Sequence, residues 1–284
     1  MSTPPTPGPG QVAADPRAPY RPLAEAVPGH PPITDDRLRR LRTANVVMGL
    51  LHAAQTVAVL ALANDFTIPV TAAYQAGPPG SGRFTEPVTV WDEPFALGVA
   101  AFLAVSALAH LVIAGPAFRA YARGLRHGHN SFRWVEYSVS ASIMIVLIAQ
   151  LTGITDLAAL SGVFAVNACM ILFGWLQERY EFPGSGRWLP FVFGSMAGAV
   201  PWLLVLGYAL GPGADRPEGP PAFVWAIIAS LFVFFNTFGV NQALQYARVG
   251  PWRDYLVGEW VYVLLSLTAK SALAWQVFGG TLAG

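Results

Sequence analysis

The chain contains a single lysine, Lys270, in the middle of its last long apolar stretch. At a rise of about 1.5 Å per residue, Lys270 lies about 14 Å from the carboxyl end of that stretch. A charged amine at this depth in a bilayer is costly unless it is paired or neutralised, and the distance is too long for a snorkelling side chain, the main alternative. Every other basic residue is arginine, which cannot lose its proton, whereas a lysine amine forms a Schiff base with an aldehyde. The position therefore predicts covalent binding of an aldehyde at Lys270.

A protonated Schiff base in a dry environment needs a counter-ion, and the apolar stretches offer two candidates, Glu136 and Glu259. Ser266 and Lys270 each fall within about 20° of Glu259 at 100° per residue, so the three form one polar stripe. Glu259 is nevertheless about 16 Å of helix away from Lys270, which is too far to pair. We therefore predict Glu136 as the counter-ion, which requires a tilted or inward-displaced third helix. The alternative is a helix-start glutamate near Arg133.

Four further polar residues lie at helical spacing on the first two apolar stretches. Asn45 and His52 are seven residues apart, and Ser106 and His110 are four apart, so each pair shares a helix face. A lone histidine in a span is often a packing residue. Two histidines facing one polar stripe instead predict a proton-accepting network.

The elements that must position these residues are membrane spans. Of the 284 residues, 54% are hydrophobic and 12% are charged, against about 25% charged in soluble proteins, and the mean hydropathy is +0.46. A net charge of +1 gives no basic face for nucleic acid. Seven stretches are long enough to cross a hydrocarbon layer of about 30 Å as helices, and strand-like alternation is absent. These are residues 43–63, 94–114, 134–154, 157–177, 188–211, 221–247 and 255–279.

The composition divides the chain into a tail and a bundle. Residues 1–36 are rich in proline, with glycine and alanine, and predict a disordered cytoplasmic tail. Residues 37–284 predict an all-α seven-helix bundle. The connection before the second span contains Gly77, Pro78 and Gly80 between short β-prone stretches, which predicts a β-hairpin in the first external loop.

The arginines predict the orientation of the bundle. Fourteen of them lie in the tail and in the loops on one side, whereas only Arg83 and Arg216 lie on the other. Because basic residues stay on the cytoplasmic side, we expect a multi-pass protein of the cell membrane with a cytoplasmic amino terminus and an external carboxyl terminus. Basic cytoplasmic loops of this kind contact anionic lipid or a signalling partner.

The run Phe132–Ser138 (FRWVEYS), the run Ile145–Ala149 (IVLIA) and Ser266 four residues before Lys270 resemble the heliorhodopsins, and so does the inverted orientation. The resemblance covers roughly residues 37–280. It implies a seven-helix retinal photoreceptor, usually a homodimer, with a slow photocycle and without efficient ion pumping. It places all-trans retinal on Lys270 and makes Glu136 its counter-ion. The implied Schiff-base polar cavity comprises Asn45, His52, Ser106, His110, Tyr137 and Glu259. The implied chromophore pocket comprises Ser266, Tyr137, Asn167, Met170, Pro201 and Phe235.

One further comparison bears on the mechanism. In proton pumps of the bacteriorhodopsin type, a hydroxyl and a carboxylate donor follow the counter-ion at four and eleven positions, where this chain has Ser140 and Leu147. Leucine cannot return a proton, so we expect light sensing, with the Schiff-base proton held near Asn45, His52 and His110. A light-gated ion or proton channel and a non-retinal membrane transporter remain alternatives. No enzyme motif of the metalloprotease, nucleophile-elbow or phosphate-loop type is present, so we do not expect an enzyme.

Overall fold

The structure, a computed structural model, describes residues 22–213, 215 and 218–283. Seven of its helices are long and apolar enough to cross a membrane, which confirms the predicted seven-helix bundle. These spans are α2 (Asp35–Leu62), α3 (Phe95–Ala114), α5 (Ser131–Leu151), α6 (Leu157–Tyr180), α7 (Leu189–Leu210), α8 (Ala222–Tyr246) and α9 (Tyr255–Val277). The shorter elements are α1 (Leu23–Ala26), α4 (Phe118–Arg126), a 3-10 turn (Gly250–Arg253) and a π-helical turn (Phe278–Leu282).

Capping residues set the helix starts that hydropathy placed too late. α2 begins at Asp35 rather than at residue 43, because the Thr34 side chain accepts a hydrogen bond from Arg37 N and two aspartates occupy the first turn. α5 begins at Ser131 rather than at residue 134, because the Asn130 side chain accepts from the backbone N of Arg133 at 3.1 Å. This earlier start adds three residues to α5, and the last of them, Arg133, is buried inside the bundle.

The bundle core fills the half of the molecule opposite the amino-terminal segment. Phe102 of α3, Ile145 and Leu147 of α5 and Leu273 of α9 are fully buried there. Most adjacent helices pack closely along their length, whereas α7 and α8 touch only sparingly. Many large apolar side chains of α2, α7 and α8 are exposed, as expected for surfaces that face lipid rather than water.

A two-stranded antiparallel sheet lies between the first two spans, where the sequence predicts a hairpin. It consists of β1 (Thr67–Ala72) and β2 (Val88–Pro94), with a register shift between Val70 and Thr71. The backbone N of Thr71 donates to Thr155 O at 2.9 Å, which ties the sheet to the loop between α5 and α6. The sheet therefore covers this end of the bundle.

The structure corrects the predicted disordered tail for residues 22–36. Leu23 and Val27 are buried, with 3% and 1% exposure, against α4 and the start of α9. The ring nitrogen Nε2 of His30 accepts a hydrogen bond from the backbone N of Tyr255 at 3.0 Å. The side chains of Leu23 and Val27 pack on an apolar surface beside α4, and this contact docks the segment. The first 21 residues lie outside the part of the chain that the structure describes.

Candidate functional site

Lys270 is paired inside the bundle with the carboxylate that the sequence proposes for it. The lysine is 3% exposed, and its Nζ lies 2.8 Å from Glu136 Oε1 and 2.9 Å from Ser266 Oγ. The ammonium is also 4.9 Å from the centre of the Tyr137 ring, within the range of a cation–π contact. Because helical side chains tilt toward the amino end of their helix, Lys270 reaches back one turn to Ser266.

The inward position of α5 removes the difference in depth between Lys270 and Glu136. One face at the start of α5 is buried, since its capping residue Asn130, Arg133 and Glu136 are only 5%, 6% and 8% exposed. The helix thus begins within the bundle rather than at its surface. The hydroxyl of Ser106 on α3 lies 2.6 Å from Glu136 Oε1, so the same oxygen faces both a hydroxyl and an ammonium. Such donors stabilise the charged carboxylate.

The polar residues of α2 and α3 gather beside this pair. His110 Nδ1 lies 2.6 Å from Asn45 Oδ1, and the rings of His110 and His52 stack with their centroids 5.6 Å apart. His52 is fully buried, and neither of its ring nitrogens has a hydrogen-bond partner among the described residues. Buried polar atoms without a partner usually bind ordered water. The structure therefore brings Asn45, His52, Ser106 and His110 together as predicted from their spacing.

Glu259 instead belongs to a separate buried cluster. Its carboxylate is bonded to the guanidinium of Arg133, and the other side of that guanidinium binds Glu178 at 2.5 Å. The hydroxyl of Tyr255 lies 2.8 Å from Glu178 Oε1 and 3.1 Å from Glu259 Oε1. We name Arg133, Glu178, Glu259, Tyr255 and Asn130 the arginine cluster. Glu259 is thus bonded to Arg133 rather than to Glu136, although both glutamates line one small cavity together with Asn45 and His110.

Sequence reasoning missed the arginine cluster because Arg133 was counted among the loop arginines and Glu178 adjoins Arg179 at a helix end. One signal was available. Arg133 is three residues before Glu136, so both lie on one face of α5, and a residue that shares a face with a buried carboxylate is itself expected to point inward.

A cavity of about 790 Å³ extends from Lys270 between α5, α6, α7, α8 and α9. Most of its wall is apolar or aromatic, and it includes Met170 and Phe235, as the resemblance implied. Asn167 and Pro201 are not among its lining side chains, so their assignment to the chromophore pocket stays a prediction. Asn167 instead turns toward α5, where its Nδ2 donates to Ser142 Oγ at 3.0 Å, and Pro201 is buried elsewhere in α7.

Aromatic rings and glycines shape the cavity wall, and of these the sequence analysis identified only Tyr137 and Phe235. The ring of Trp202 packs edge-on against Phe232 and Phe235 at centroid distances of 5.3 and 5.4 Å. A Cβ on Gly198 would lie 2.4 Å from Met170 Sδ, and a Cβ on Gly174 would lie 2.6 Å from the Trp134 ring. The two glycines therefore make room for the side chains that line the cavity.

The chain has seven spanning helices, a lysine in the last of them that pairs with a carboxylate of the third span, and an adjoining apolar cavity. These features together define a rhodopsin-type membrane protein. Solved structures agree with this class. The transmembrane domain of the Salpingoeca rosetta rhodopsin phosphodiesterase is similar with a TM-score of 0.59 at 14% identity, covering 94% of this chain and 89% of that one. A second structure of that domain with its linker region has the same TM-score and identity and is covered over 84% of its length. At this identity the likeness shows the fold alone.

Residues 41–282 match the heliorhodopsin family model, so the chain belongs to the heliorhodopsin family, as its motifs predict. A search of curated proteins found no match. The chain is accordingly a retinal photoreceptor and a multi-pass membrane protein.

The cavity fits the retinal chromophore that the family implies. Its volume of about 790 Å³ lies within the range of about 300–1,000 Å³ typical of ligand pockets. A long apolar polyene suits a wall made mostly of apolar and aromatic side chains. Lys270, which is part of this wall, offers an amine for an aldehyde.

Proposed function

We propose that this protein senses light through all-trans retinal held on Lys270 as a protonated Schiff base, with Glu136 as its counter-ion. The observation that carries the proposal is the 2.8 Å contact between Lys270 Nζ and Glu136 Oε1 beside the apolar cavity. Retinal bound there would supply visible absorption and a light-driven change of shape. Within the chain, Glu136 balances the positive charge, and the wall around Trp202 excludes water.

The polar residues next to Glu136 suit retention of a proton rather than its transport. A neutral imidazole accepts a proton, and the rings of His110 and His52 lie beside the pair of Lys270 and Glu136. At the position of a pump's proton donor, Leu147 is fully buried and apolar, so it cannot return a proton from the opposite side. We therefore propose a slow photocycle without efficient ion pumping, in which the proton stays among these histidines.

We further propose how the receptor is placed in the cell. The distribution of arginines supports a cytoplasmic amino terminus and an external carboxyl terminus in the cell membrane. The proposed cytoplasmic side includes α4, where Arg119 and Arg123 are exposed and suited to anionic lipid or to a signalling partner. Membership of the family supports a homodimer that signals by changes of helix position rather than by an enzymatic activity of its own.

The test adds all-trans retinal to the parent protein, to Lys270→Ala and to Ser271→Ala, a matched change one residue further along the helix. We expect a visible absorption band and a covalent adduct, located by mass spectrometry, in the parent and in Ser271→Ala. Lys270→Ala should remain helical by circular dichroism but colourless. A pigmented Lys270→Ala protein with a covalent adduct elsewhere would refute the assignment, and a colourless parent would favour a transporter.

A further inference from the structure

The arginine cluster contains one more carboxylate than it has cations. Arg133 is bonded to both Glu178 and Glu259, and all three residues are at most 6% exposed. Lys270, the other buried cation nearby, is already paired with Glu136. If both carboxylates were ionised, one negative charge would remain uncompensated inside the membrane, which is strongly unfavourable. The charge count therefore favours one proton on the pair.

The hydrogen bonds of Glu178 identify it as the ionised member. Its two oxygens face four donors: the Arg133 guanidinium, the Tyr255 hydroxyl, the backbone N of Asn130 at 2.8 Å and the indole N–H of Trp134. A carboxylate is an acceptor only, and four donors satisfy it fully. A proton on Glu178 would face a donor at every position.

The hydrogen bonds of Glu259 leave room for a proton. Tyr255 has one hydroxyl hydrogen but lies within hydrogen-bond distance of Glu178 Oε1, at 2.8 Å, and of Glu259 Oε1, at 3.1 Å. If Tyr255 donates to Glu178, the longer contact is a hydrogen bond when Glu259 Oε1, which also accepts from Arg133, carries a hydrogen. The second oxygen of Glu259 has a single donor, Asn130 Nδ2 at 3.1 Å. The count of hydrogen-bond donors and the count of charges thus both favour one proton on Glu259.

A small cavity joins this cluster to the lysine site. It measures about 30 Å³ and its lining includes Glu259 and Arg133 as well as Glu136 and His110. A water needs about 10–15 Å³ of such volume. The Nε of Arg133 and the hydroxyl of Tyr121, both from side chains that line the cavity, are buried and have no hydrogen-bond partner in the described part of the chain. Unsatisfied buried donors of this kind are the partners that ordered water requires.

We propose that Glu178 and Glu259 share one proton, carried on Glu259, and that water in this cavity connects it with Glu136. When the nitrogen on Lys270 passes its proton to His110, Glu136 loses the positive charge that lies 2.8 Å away. The O–H bond of Glu259 then breaks, the water takes that proton and passes one of its own to Glu136. Total charge is conserved, and the positive charge now on His110, which lines the same small cavity, balances the negative charge that Glu259 gains. The resting proton does not depend on bound retinal, whereas the light-driven transfer rests on the proposed function.

The resting proton is tested by infrared spectroscopy of the full chain in lipid, with and without retinal, in H₂O and D₂O at neutral pH. We expect a carboxylic-acid C=O band that shifts in D₂O. It should be lost in Glu259→Gln, and also in Glu178→Gln, where one carboxylate and one arginine remain balanced. Glu181→Gln, a change beyond the end of the same helix α6, should keep the band. A parent without the band, or a band that survives either substitution in the pair, would overturn the shared proton.

The water connection is tested by light-induced infrared difference spectra of the retinal-loaded protein. Ala109 lines the small cavity, so Ala109→Leu should displace its water while leaving every carboxylate in place. Ala104→Leu, on an exposed face of the same helix, is the control. We expect illumination to deplete the Glu259 band in the parent and in Ala104→Leu but not in Ala109→Leu, with the dark band retained in all three. Depletion that persists in Ala109→Leu, or that is absent from the pigmented parent, would refute the connection. A colourless parent that still shows the dark band would refute the proposed function and leave the shared proton supported.

Discussion

Replacing Glu136 by glutamine tests the charge pair at the centre of the site. The substitution keeps the size of the side chain and an oxygen near Lys270 Nζ but removes the negative charge 2.8 Å away. Breaking a buried ion pair costs about 3–5 kcal/mol, and one pH unit corresponds to about 1.36 kcal/mol. The positive charge at Lys270 should therefore be lost at a lower pH than in the parent, by an amount that reflects this cost. The hydroxyl of Ser266, 2.9 Å from Nζ, remains as a partner and favours the lower end of that range of cost.

The assay follows the visible band of the retinal-loaded protein as the pH is raised, because loss of the positive charge moves the absorption to shorter wavelength. The matched control is Ser138→Ala on the same helix, because the Ser138 hydroxyl donates to the backbone O of Val135 at 2.8 Å. We expect its midpoint to equal that of the parent. A midpoint in Glu136→Gln equal to that of the parent would show that another group balances the charge, and the counter-ion assignment would be refuted.

Three further predictions concern other parts of the molecule. Gly198→Val should lower the yield of pigment, because the valine side chain would collide with Met170 at the cavity wall. Such overpacking costs about 1–3 kcal/mol. Absorption spectra that show the same yield of pigment as in the parent would contradict the assigned wall. Burial lowers the pKa of His30, and its neutral ring accepts a hydrogen bond from Tyr255 N. Docking of residues 22–34 should therefore be complete above a pH of about 6.5 and weaken as the pH falls below it. Hydrogen exchange of this segment should show that dependence in the parent and lose it in His30→Gln; equal dependence in both would exclude His30 as the cause. Illumination should give no steady photocurrent in voltage-clamped cells, because Leu147 is a buried apolar side chain at the position of a pump's proton donor. A sustained current would instead favour a light-gated channel.

The local sequence was sufficient for the number of spans and for the presence of a buried lysine in the last of them. Span length and apolar content depend only on consecutive residues, so all seven helices were predicted. Their ends were predicted less well, because caps such as Thr34 and Asn130 act through single hydrogen bonds that hydropathy does not register. The docking of residues 22–34 was also missed, since Leu23 and Val27 are too few to stand out among prolines.

Sequence patterns likewise predicted one part of the candidate site and missed another. Helical spacing correctly grouped Asn45 with His52 and Ser106 with His110, because residues on one helix share a face by geometry alone. It did not identify the bonding partner of Glu259, which lies on the stripe of Lys270 and binds Arg133. A polar stripe on one helix shows which way its side chains point around the helix axis. The bonding partner of each side chain depends on which residue of the neighbouring helix lies at the same depth.

The amino-acid sequence by itself determined a seven-span membrane protein, a single amine at bilayer depth and the family to which the chain belongs. Only the tertiary structure decided that Glu136 meets Lys270, that Glu259 joins Glu178 around Arg133, and that Asn167 lies outside the large cavity. The physical reason is that the relative depth and rotation of helices follow from packing between them. Those two quantities fix which buried charges can touch, and no pattern within one helix encodes them.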